Sequence, residues 1–227
     1  MKGFVFFFVL FSFPALSGYA QKIVKIEKPT QPALEVNQFS TEISEKEWQI
    51  IIDSLQAEDW EKSAFLAGQL INRVKTDNEK KRLARLRYIY LYALAGKIIA
   101  FSEANKKSEE AAAREELRKA ADSFVGKEFV LPPRRFLANC NQVLNYICPV
   151  KNNDNALRVT ATNKEGTAIH SFELILFDQK VDLKDFTGKE TFLGGILAKV
   201  EFNENKSYPW IMRLSFVRGF IRVIVTK

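Results

Sequence analysis

The spacing of hydrophobic residues changes near residue 126. Before that point, apolar side chains recur every three or four positions, as in a helix that is buried along one side. After it, apolar and polar residues alternate, as in a strand with one buried face. We therefore predict an α+β protein with a helical domain at residues 44–126 and a β-rich domain at residues 127–227.

The helical segment carries recognisable start and stop signals. Ser44 and Glu47 form a capping box at the start of a first helix, and Asp59 can cap a second one. The segment "AGK" at residues 95–97 is predicted as a corner between helices, and Gly126 stands where a left-handed helix stop is expected. The predicted buried stripes are Trp48, Ile51, Ile52 and Leu55, then Trp60, Ala64, Ala67, Ile71 and Val74, and finally Ala113, Leu117, Ala120 and Phe124.

Two antiparallel helical hairpins of this size resemble tetratricopeptide repeats over residues 44–107. The residues that carry the resemblance are Trp48, Ile51, Leu55 and Ala64 in the first unit, and Tyr88, Tyr92 and Gly96 in the second. The resemblance implies a concave surface that holds a peptide or a partner helix. A plain helical bundle is the alternative.

The second half predicts five strands that are mostly sequential neighbours. We expect an antiparallel sheet that curls into a small barrel or a sandwich. Gly219 marks a turn or a bulge before the last strand. The residues predicted to face inward are Leu157, Val159 and Ala161, then Ile196, Ala198, Val200 and Phe202, then Trp210, Met212, Leu214 and Phe216, and finally Ile221, Val223 and Val225.

The N-terminal segment is typical of a secretory signal. One lysine, Lys2, precedes an apolar run, and small residues at positions 18–20 fit a cleavage site after Ala20. We predict a signal peptide at residues 1–20 and an extended linker at 21–43. The apolar run is too short for a comfortable membrane span of about 20 residues. The mature chain is therefore expected to be exported, either to a periplasm or out of the cell, without a membrane span.

The net charge is modestly positive. It is +7 for the whole chain, and the C-terminal 101 residues hold 15 basic and 10 acidic side chains. Such an excess favours weak contact with acidic surfaces but specifies no partner. The densest run of basic residues, "KKRLARLR" at 80–87, continues into apolar helix, so we interpret it as a charged helix face rather than a polyanion site.

The two cysteines, Cys140 and Cys148, can form a disulfide only if the chain turns between them. Eight residues span about 12 Å in a helix and about 26 Å in a strand, whereas a bridge needs Cα atoms within about 7 Å. A disulfide and two buried thiols both remain open, and the spacing favours the thiols. Together with a single histidine, His170, two thiols do not complete a zinc site.

Candidate catalytic chemistry is sparse. His170 alternates with Phe172, Leu174 and Leu176, which indicates a structural histidine on the core-facing side of a strand. Asp178, Asp182 and Asp185 lack the spacing of a calcium loop and are interpreted as a solvated loop. We assign no catalytic residue, metal ligand or cofactor.

The best candidate for ligand binding is a group of basic and aromatic residues near the C-terminus: Arg213, Arg218, Arg222 and Phe220. Our leading hypothesis is an exported, non-enzymatic interaction or scaffold protein that binds another envelope or secreted protein. The alternative is a β-domain that uses these arginines to bind an anionic polymer or a glycan. A hydrolase of unknown type ranks third. The sequence leaves the oligomeric state open.

The signal-peptide prediction can be checked by N-terminal mass spectrometry of the exported protein. We expect the mature chain to begin at Gln21, because cleavage follows the small residues that end at Ala20. An intact N-terminus on protein that accumulates in the cytosol would contradict the prediction.

Overall fold

The computed structural model describes residues 22–23, 43–74, 80–140, 144–205 and 210–225. The helices are α1 (Glu45–Gln56), α2 (Trp60–Arg73), α3 (Lys80–Glu103) and α4 (Lys107–Phe124). The strands are β1 (Lys22–Ile23), β2 (Glu128–Val130), β3 (Arg134–Arg135), β4 (Ile147–Val150), β5 (Asn153–Thr162), β6 (Ile169–Leu176), β7 (Glu190–Phe202) and β8 (Trp210–Val225). The predicted signal peptide lies outside the described residues, as does most of the predicted linker. No described helix is long and apolar enough to cross a membrane.

The predicted helix signals are confirmed at three ends. The Ser44 hydroxyl accepts a hydrogen bond from the Glu47 amide at 3.2 Å, and the Glu47 carboxylate accepts one from the Ser44 amide at 2.9 Å. Asp59 accepts a hydrogen bond from the amide of Lys62 at the start of α2. Gly126 follows α4 with φ of 79°, a left-handed conformation that glycine adopts without steric cost.

The predicted corner at residues 95–97 is wrong, because α3 continues through Gly96 to Glu103. The chain turns instead after Glu103, where Asn105 has φ of 60°. Gly96 serves packing rather than turning. A Cβ atom at this position would lie 2.4 Å from the Trp60 ring and 2.8 Å from the His170 ring.

The basic run at the start of α3 holds neighbouring segments in place. Arg82 donates to the carbonyl of Ile43 at 2.6 Å and forms an ion pair with Glu45, which fixes the entry to α1. Arg87 donates to the carbonyl of Glu128 at 2.9 Å and so links α3 to β2. From Tyr88 onward most of α3 is buried, as its apolar residues predict. The charges therefore contribute to internal contacts.

The strands form one mixed sheet in the order β2-β7-β8-β6-β5-β4, with β3 paired to β7 and β1 paired to β8. The α+β class is confirmed. The prediction of an antiparallel barrel or sandwich is corrected, because the sheet is open and β6 runs parallel to β8. The cause is a crossover: β8 inserts between β6 and β7 and forms hydrogen bonds with both strands.

The last two predicted strands are one long strand, β8, interrupted by a bulge. Val217 and Phe220 pair with Ile196 and Gly194, so Arg218 and Gly219 together lie opposite the single residue Gly195, and β8 has one extra residue here. The bulge exchanges the two faces of the strand. Met212, Leu214 and Phe216 are buried before the bulge, and Ile221 and Val223 pack against the same core after it, as the alternation predicts. The prediction for Trp210 is wrong, because this residue is only partly buried and belongs to none of the hydrophobic clusters of the described residues.

One hydrophobic core joins the helices to the sheet. It contains Leu91, Leu94 and Ile98 of α3, Leu117 and Phe124 of α4, and residues of the strands such as Phe129, Leu157, Leu193, Leu214 and Phe216. A smaller cluster, which includes Ile51, Leu70 and Leu86, lies between α1, α2 and the start of α3. The predicted boundary at residue 126 marks the change from helix to strand, and hydrophobic side chains from both sides of it pack together.

Gly96→Ala is expected to destabilise the protein by about 1–2 kcal/mol. Alanine stabilises an isolated helix by about 1 kcal/mol relative to glycine, but the added methyl group would overlap with Trp60 and His170. Gly68→Ala in α2 is the matched control, since its Cβ would approach only the Tyr90 ring at 3.2 Å. Urea denaturation of both variants tests the prediction, and equal stability of the two variants would contradict it.

Candidate functional site

The face of strand β6 that the sequence predicts to be buried is the one that lies outside the core. Ser171, Glu173 and Ile175 are buried, whereas Phe172, Leu174 and Leu176 are only partly buried. His170 is also buried, so two consecutive residues at the start of the strand point away from solvent. The register shift between Ala161 and Thr162 of β5 accounts for this break in the alternation. Apolar side chains of β6 are therefore left outside the core.

Two buried polar residues of β6, Ser171 and Glu173, belong to a closed network. The Glu173 carboxylate accepts hydrogen bonds from the hydroxyls of Tyr88 at 2.6 Å and Ser171 at 2.7 Å, and it pairs with Arg134 at 3.2 Å. Burial raises the pKa of Tyr88. Burial opposes the charge on Arg134, but Tyr88 and Glu173 outweigh it and raise the pKa of this guanidinium. The network is neutral overall, and we interpret it as structural.

The imidazole of His170 lies between aromatic rings. Its Nδ1 is 3.1 Å from the carbonyl oxygen of Tyr92, and its ring centre is 4.2 Å from that of Tyr92 and 4.9 Å from that of Trp60. Burial lowers its pKa to about 4, so the ring is neutral at pH 7. This packing favours the structural role that the sequence indicates, because a buried imidazole has no access to a substrate.

The three aspartates Asp178, Asp182 and Asp185 line a shallow depression of about 510 Å³ beside Lys180 and Phe186. Asp182 accepts a hydrogen bond from the amide of Lys184 and caps the short 3-10 helix Leu183–Phe186. Within the described residues, no group of three or more acidic, histidine or cysteine side chains is arranged to hold a metal ion.

The cysteines form a disulfide. The Cα atoms of Cys140 and Cys148 are 5.8 Å apart, and the sulfur atoms are bonded. The thiol alternative, which the spacing favoured, is therefore wrong. The chain turns back before β4, and Asn145 in this turn has φ of 60°, a conformation that asparagine tolerates better than most residues.

The four predicted binding residues do not meet at one point. Arg213 and Arg222 are nine residues apart on β8, which corresponds to about 30 Å. Arg213 lies over the Trp210 ring at 4.5 Å, whereas Arg222 lies over the Phe220 ring at 5.0 Å. Arg218 is exposed at the bulge between them, with φ of 51°. Arg213 and the pair Arg222 and Phe220 therefore belong to separate parts of the surface.

Arg213 belongs to a patch of side chains that the sequence did not connect. Cross-strand pairing places Thr160 beside Phe172 and Phe172 beside Arg213, and the next row places Arg158 beside Leu174. Directly paired residues share one face of a sheet. We call this side of the sheet the outer face, defined by Arg158, Thr160, Phe172, Leu174, Arg213 and Ser215, together with Trp210, whose ring centre lies 5.9 Å from that of Phe172.

The outer face contains apolar groups that do not take part in the core. Phe172, Leu174 and Trp210 belong to none of the hydrophobic clusters formed by the described residues. Helix α3 packs on the opposite face of the sheet, where Tyr88 reaches Glu173. The feature of the sequence that could have indicated this patch is the run of apolar residues in β6. The sequence analysis assigned these residues to the core-facing side of the strand.

A pocket of about 140 Å³ opens beside the Phe172 ring. Its lining residues are Leu144, Tyr146, Cys148, Arg158, Thr160, Ile169 and Phe172. The disulfide at Cys148 and two hydrogen bonds between Asn145 and Thr162 fix the wall that precedes β4. A wall held by such contacts is formed before any ligand arrives, which reduces the entropy lost on binding.

The charges around the outer face are mainly positive. Arg158 is exposed and forms no ion pair with any described residue. Glu201, the cross-strand partner of Arg213, is hydrogen-bonded to Lys199 at 2.8 Å. The hydrogen bond from Lys199 lowers the pKa of Glu201, and the charge on Arg213 adds to this effect. The patch therefore combines apolar surface with two guanidinium groups.

A second depression, of about 440 Å³, lies between α1 and α2. It is lined by apolar residues such as Ile50 and Leu66, and the ion pair between Glu47 and Arg73 lies at its edge. Hydrogen bonds from Arg73 and Ser44 lower the pKa of Glu47 to about 2. Because both charges already neutralise each other, this depression offers a ligand less charge complementarity than the outer face does.

Comparisons of the chain with protein-family models, with curated proteins and with solved structures found no match.

We expect the stability of the protein to fall between pH 6.5 and pH 4 because of His170. Its pKa is lowered on folding, so protonation favours the unfolded state, and a drop from 6.5 to about 4 corresponds to roughly 3 kcal/mol. The His170→Asn variant keeps an amide donor for Tyr92 but does not titrate. Urea denaturation at pH 7 and pH 5 should show a smaller pH effect in the variant.

Protonation of Glu47 also lowers the stability of the protein, but this loss occurs between about pH 4.5 and pH 2. Most of the range between pH 6.5 and pH 4, in which His170 acts, lies above it. Equal pH dependence in the native protein and the His170→Asn variant would show that another group is responsible.

Proposed function

We propose that this chain is an exported, non-enzymatic interaction protein that binds another envelope or secreted protein through the outer face of its sheet. The single observation that carries the proposal is the position of Phe172, Leu174 and Trp210, which lie outside the hydrophobic core. Apolar groups that are rimmed by charged residues commonly mark interaction sites.

The disulfide supports the export part of the proposal. Disulfides persist in oxidising compartments such as a periplasm or the extracellular space, and they are rare in the cytosol. The bond between Cys140 and Cys148 is therefore the kind of feature that an exported protein retains. It agrees with the predicted signal peptide, which rests on the sequence of residues 1–20.

The helices have a supporting role in this proposal. Tetratricopeptide-like hairpins would add a second binding surface in the depression between α1 and α2, but its lining residues Ile51 and Leu70 already pack in the smaller hydrophobic cluster. We therefore assign the helices to the scaffold that covers the inner face of the sheet.

A second candidate is the binding of an anionic polymer or a glycan. It is supported by guanidinium groups that lie against aromatic rings, Arg213 on Trp210 and Arg222 on Phe220. Such binding should weaken steeply with salt, because each phosphate or sulfate contact releases counterions. Protein binding through apolar groups depends less on salt, so a salt titration separates the two candidates.

Site-specific photo-crosslinking tests the leading proposal. We would replace Phe172 by p-benzoylphenylalanine and, as a matched control, replace Phe65, an apolar residue of α2 that is 62% exposed. We expect a specific covalent adduct with another exported protein from position 172 and none from position 65. No adduct from either position would refute the proposal, and an adduct from position 65 alone would assign binding to the helices.

A further inference from the structure

The size of the outer pocket limits what can enter it. Its volume of about 140 Å³ is close to that of an apolar cavity of about 150 Å³ that holds one benzene molecule. The walls include the rings of Tyr146 and Phe172 and the side chains of Leu144 and Ile169. The pocket therefore fits one aromatic or branched apolar side chain and is too small for a helix or a sugar chain.

The two strands that neighbour Phe172 in the sheet each carry an arginine, Arg158 on β5 and Arg213 on β8. Arg213 on β8 is the direct cross-strand partner of Phe172 on β6. Arg158 on β5 lies two strands away from Arg213 and pairs with Leu174, two residues after Phe172. Their Cα atoms are therefore about 10 Å apart across the strands and about 7 Å apart along them. Arg158 also lines the pocket itself. A ligand that fills the pocket would place its neighbouring groups close to both arginines.

The charges argue against a second copy of this chain as the occupant. Two outer faces packed together would bring Arg158 and Arg213 close to the same residues of the other copy. Like charges at an interface cost several kcal/mol unless counter-charges are supplied, and the carboxylate of Glu201, the cross-strand partner of Arg213, is already paired with Lys199. An occupant with carboxylates would instead be complementary to this surface.

We infer that the outer face takes a short acidic segment of a partner protein, which inserts one apolar side chain into the pocket and directs carboxylates toward Arg158 and Arg213. The inference rests on the proposed function and adds the chemistry of the partner. An extended segment suits this site, because alternate residues of a strand lie about 7 Å apart on the same side. Guanidinium groups pair with carboxylates through two parallel hydrogen bonds.

Selection from a random peptide library on the purified full-length protein tests this inference. We expect enriched sequences to carry an aromatic or branched apolar residue with Asp or Glu within three positions on both sides. The affinity of a selected peptide should fall about five- to tenfold in Arg158→Gln and in Arg213→Gln, which is the effect of losing one charge-assisted hydrogen bond at a partly exposed site. Arg218→Gln is the matched control, since Arg218 is exposed on the same strand but lies at the bulge.

A second variant separates the pocket from the charges. Thr160→Trp would fill the pocket and leave both arginines in place, so it should abolish binding of the selected peptide. Thermal unfolding of each variant confirms that it is folded. Unchanged affinity in Thr160→Trp, or an equal loss in Arg218→Gln, would overturn the inference, because either result points to general attraction by positive charge.

The outcomes distinguish this inference from the proposed function. If crosslinking at position 172 captures an exported protein but the adduct maps to a segment without acidic residues, the inference is wrong and the proposed function stands. If the library yields no peptide and dextran sulfate binds in an Arg158-dependent and salt-sensitive manner, the anionic polymer is the ligand and both proposals fail. Adduct formation with an acidic, apolar segment, blocked by Thr160→Trp, supports both.

Discussion

The buried carboxylate of Glu173 is the constraint on which the arrangement of this protein depends. Its side chain is fully buried, and it is satisfied by Tyr88 of α3, Arg134 of β3 and Ser171 of β6. Removing one partner from such a pair costs several kcal/mol, because a charge is then left buried without compensation. The network therefore holds the central helix, an edge strand and the middle of the sheet in one relative position. Because Glu173 must face inward, its neighbours Phe172 and Leu174 must face outward.

This orientation connects the stability of the fold to its candidate function. In β6 the carboxylate of Glu173 is buried, and Phe172 and Leu174 lie on the opposite side. If the strand faced the other way, these two apolar side chains would be buried instead. Hydrophobic burial is supplied elsewhere by α3, in which eleven residues are buried and most of them belong to the core. The apolar groups left on the outer face are the feature that supports protein binding. The positive charges of Arg158 and Arg213 beside them limit the kind of partner that can bind there.

Local features were predictable because their causes lie within a few residues of each other. The capping box at Ser44, the cap at Asp59, the left-handed stop at Gly126 and the burial of Met212, Leu214 and Phe216 in β8 all follow from local rules. The errors share a different origin. The corner assigned to Gly96 was a packing site for Trp60 and His170, the separate thiols were a disulfide, and the arginines of β8 were divided by the length of the strand. The contacts of Gly96 involve residues that are far away in the sequence. The disulfide and the separation of the arginines depend on whether the chain turns or stays extended over eight or nine residues, and the local pattern did not contain that information.

The amino-acid sequence by itself determined where helices give way to strands, which stripes of the helices are buried and that acid–base and metal chemistry have few candidate residues. These properties follow from hydrophobic periodicity and residue type. Only the tertiary structure decided the parallel pairing of β6 with β8, the closure of the disulfide and the side of β6 that faces solvent. The physical reason is that a buried ion pair outweighs the alternation of apolar residues in one strand. Its partners, Tyr88 and Arg134, are 85 and 39 residues away from Glu173 along the chain.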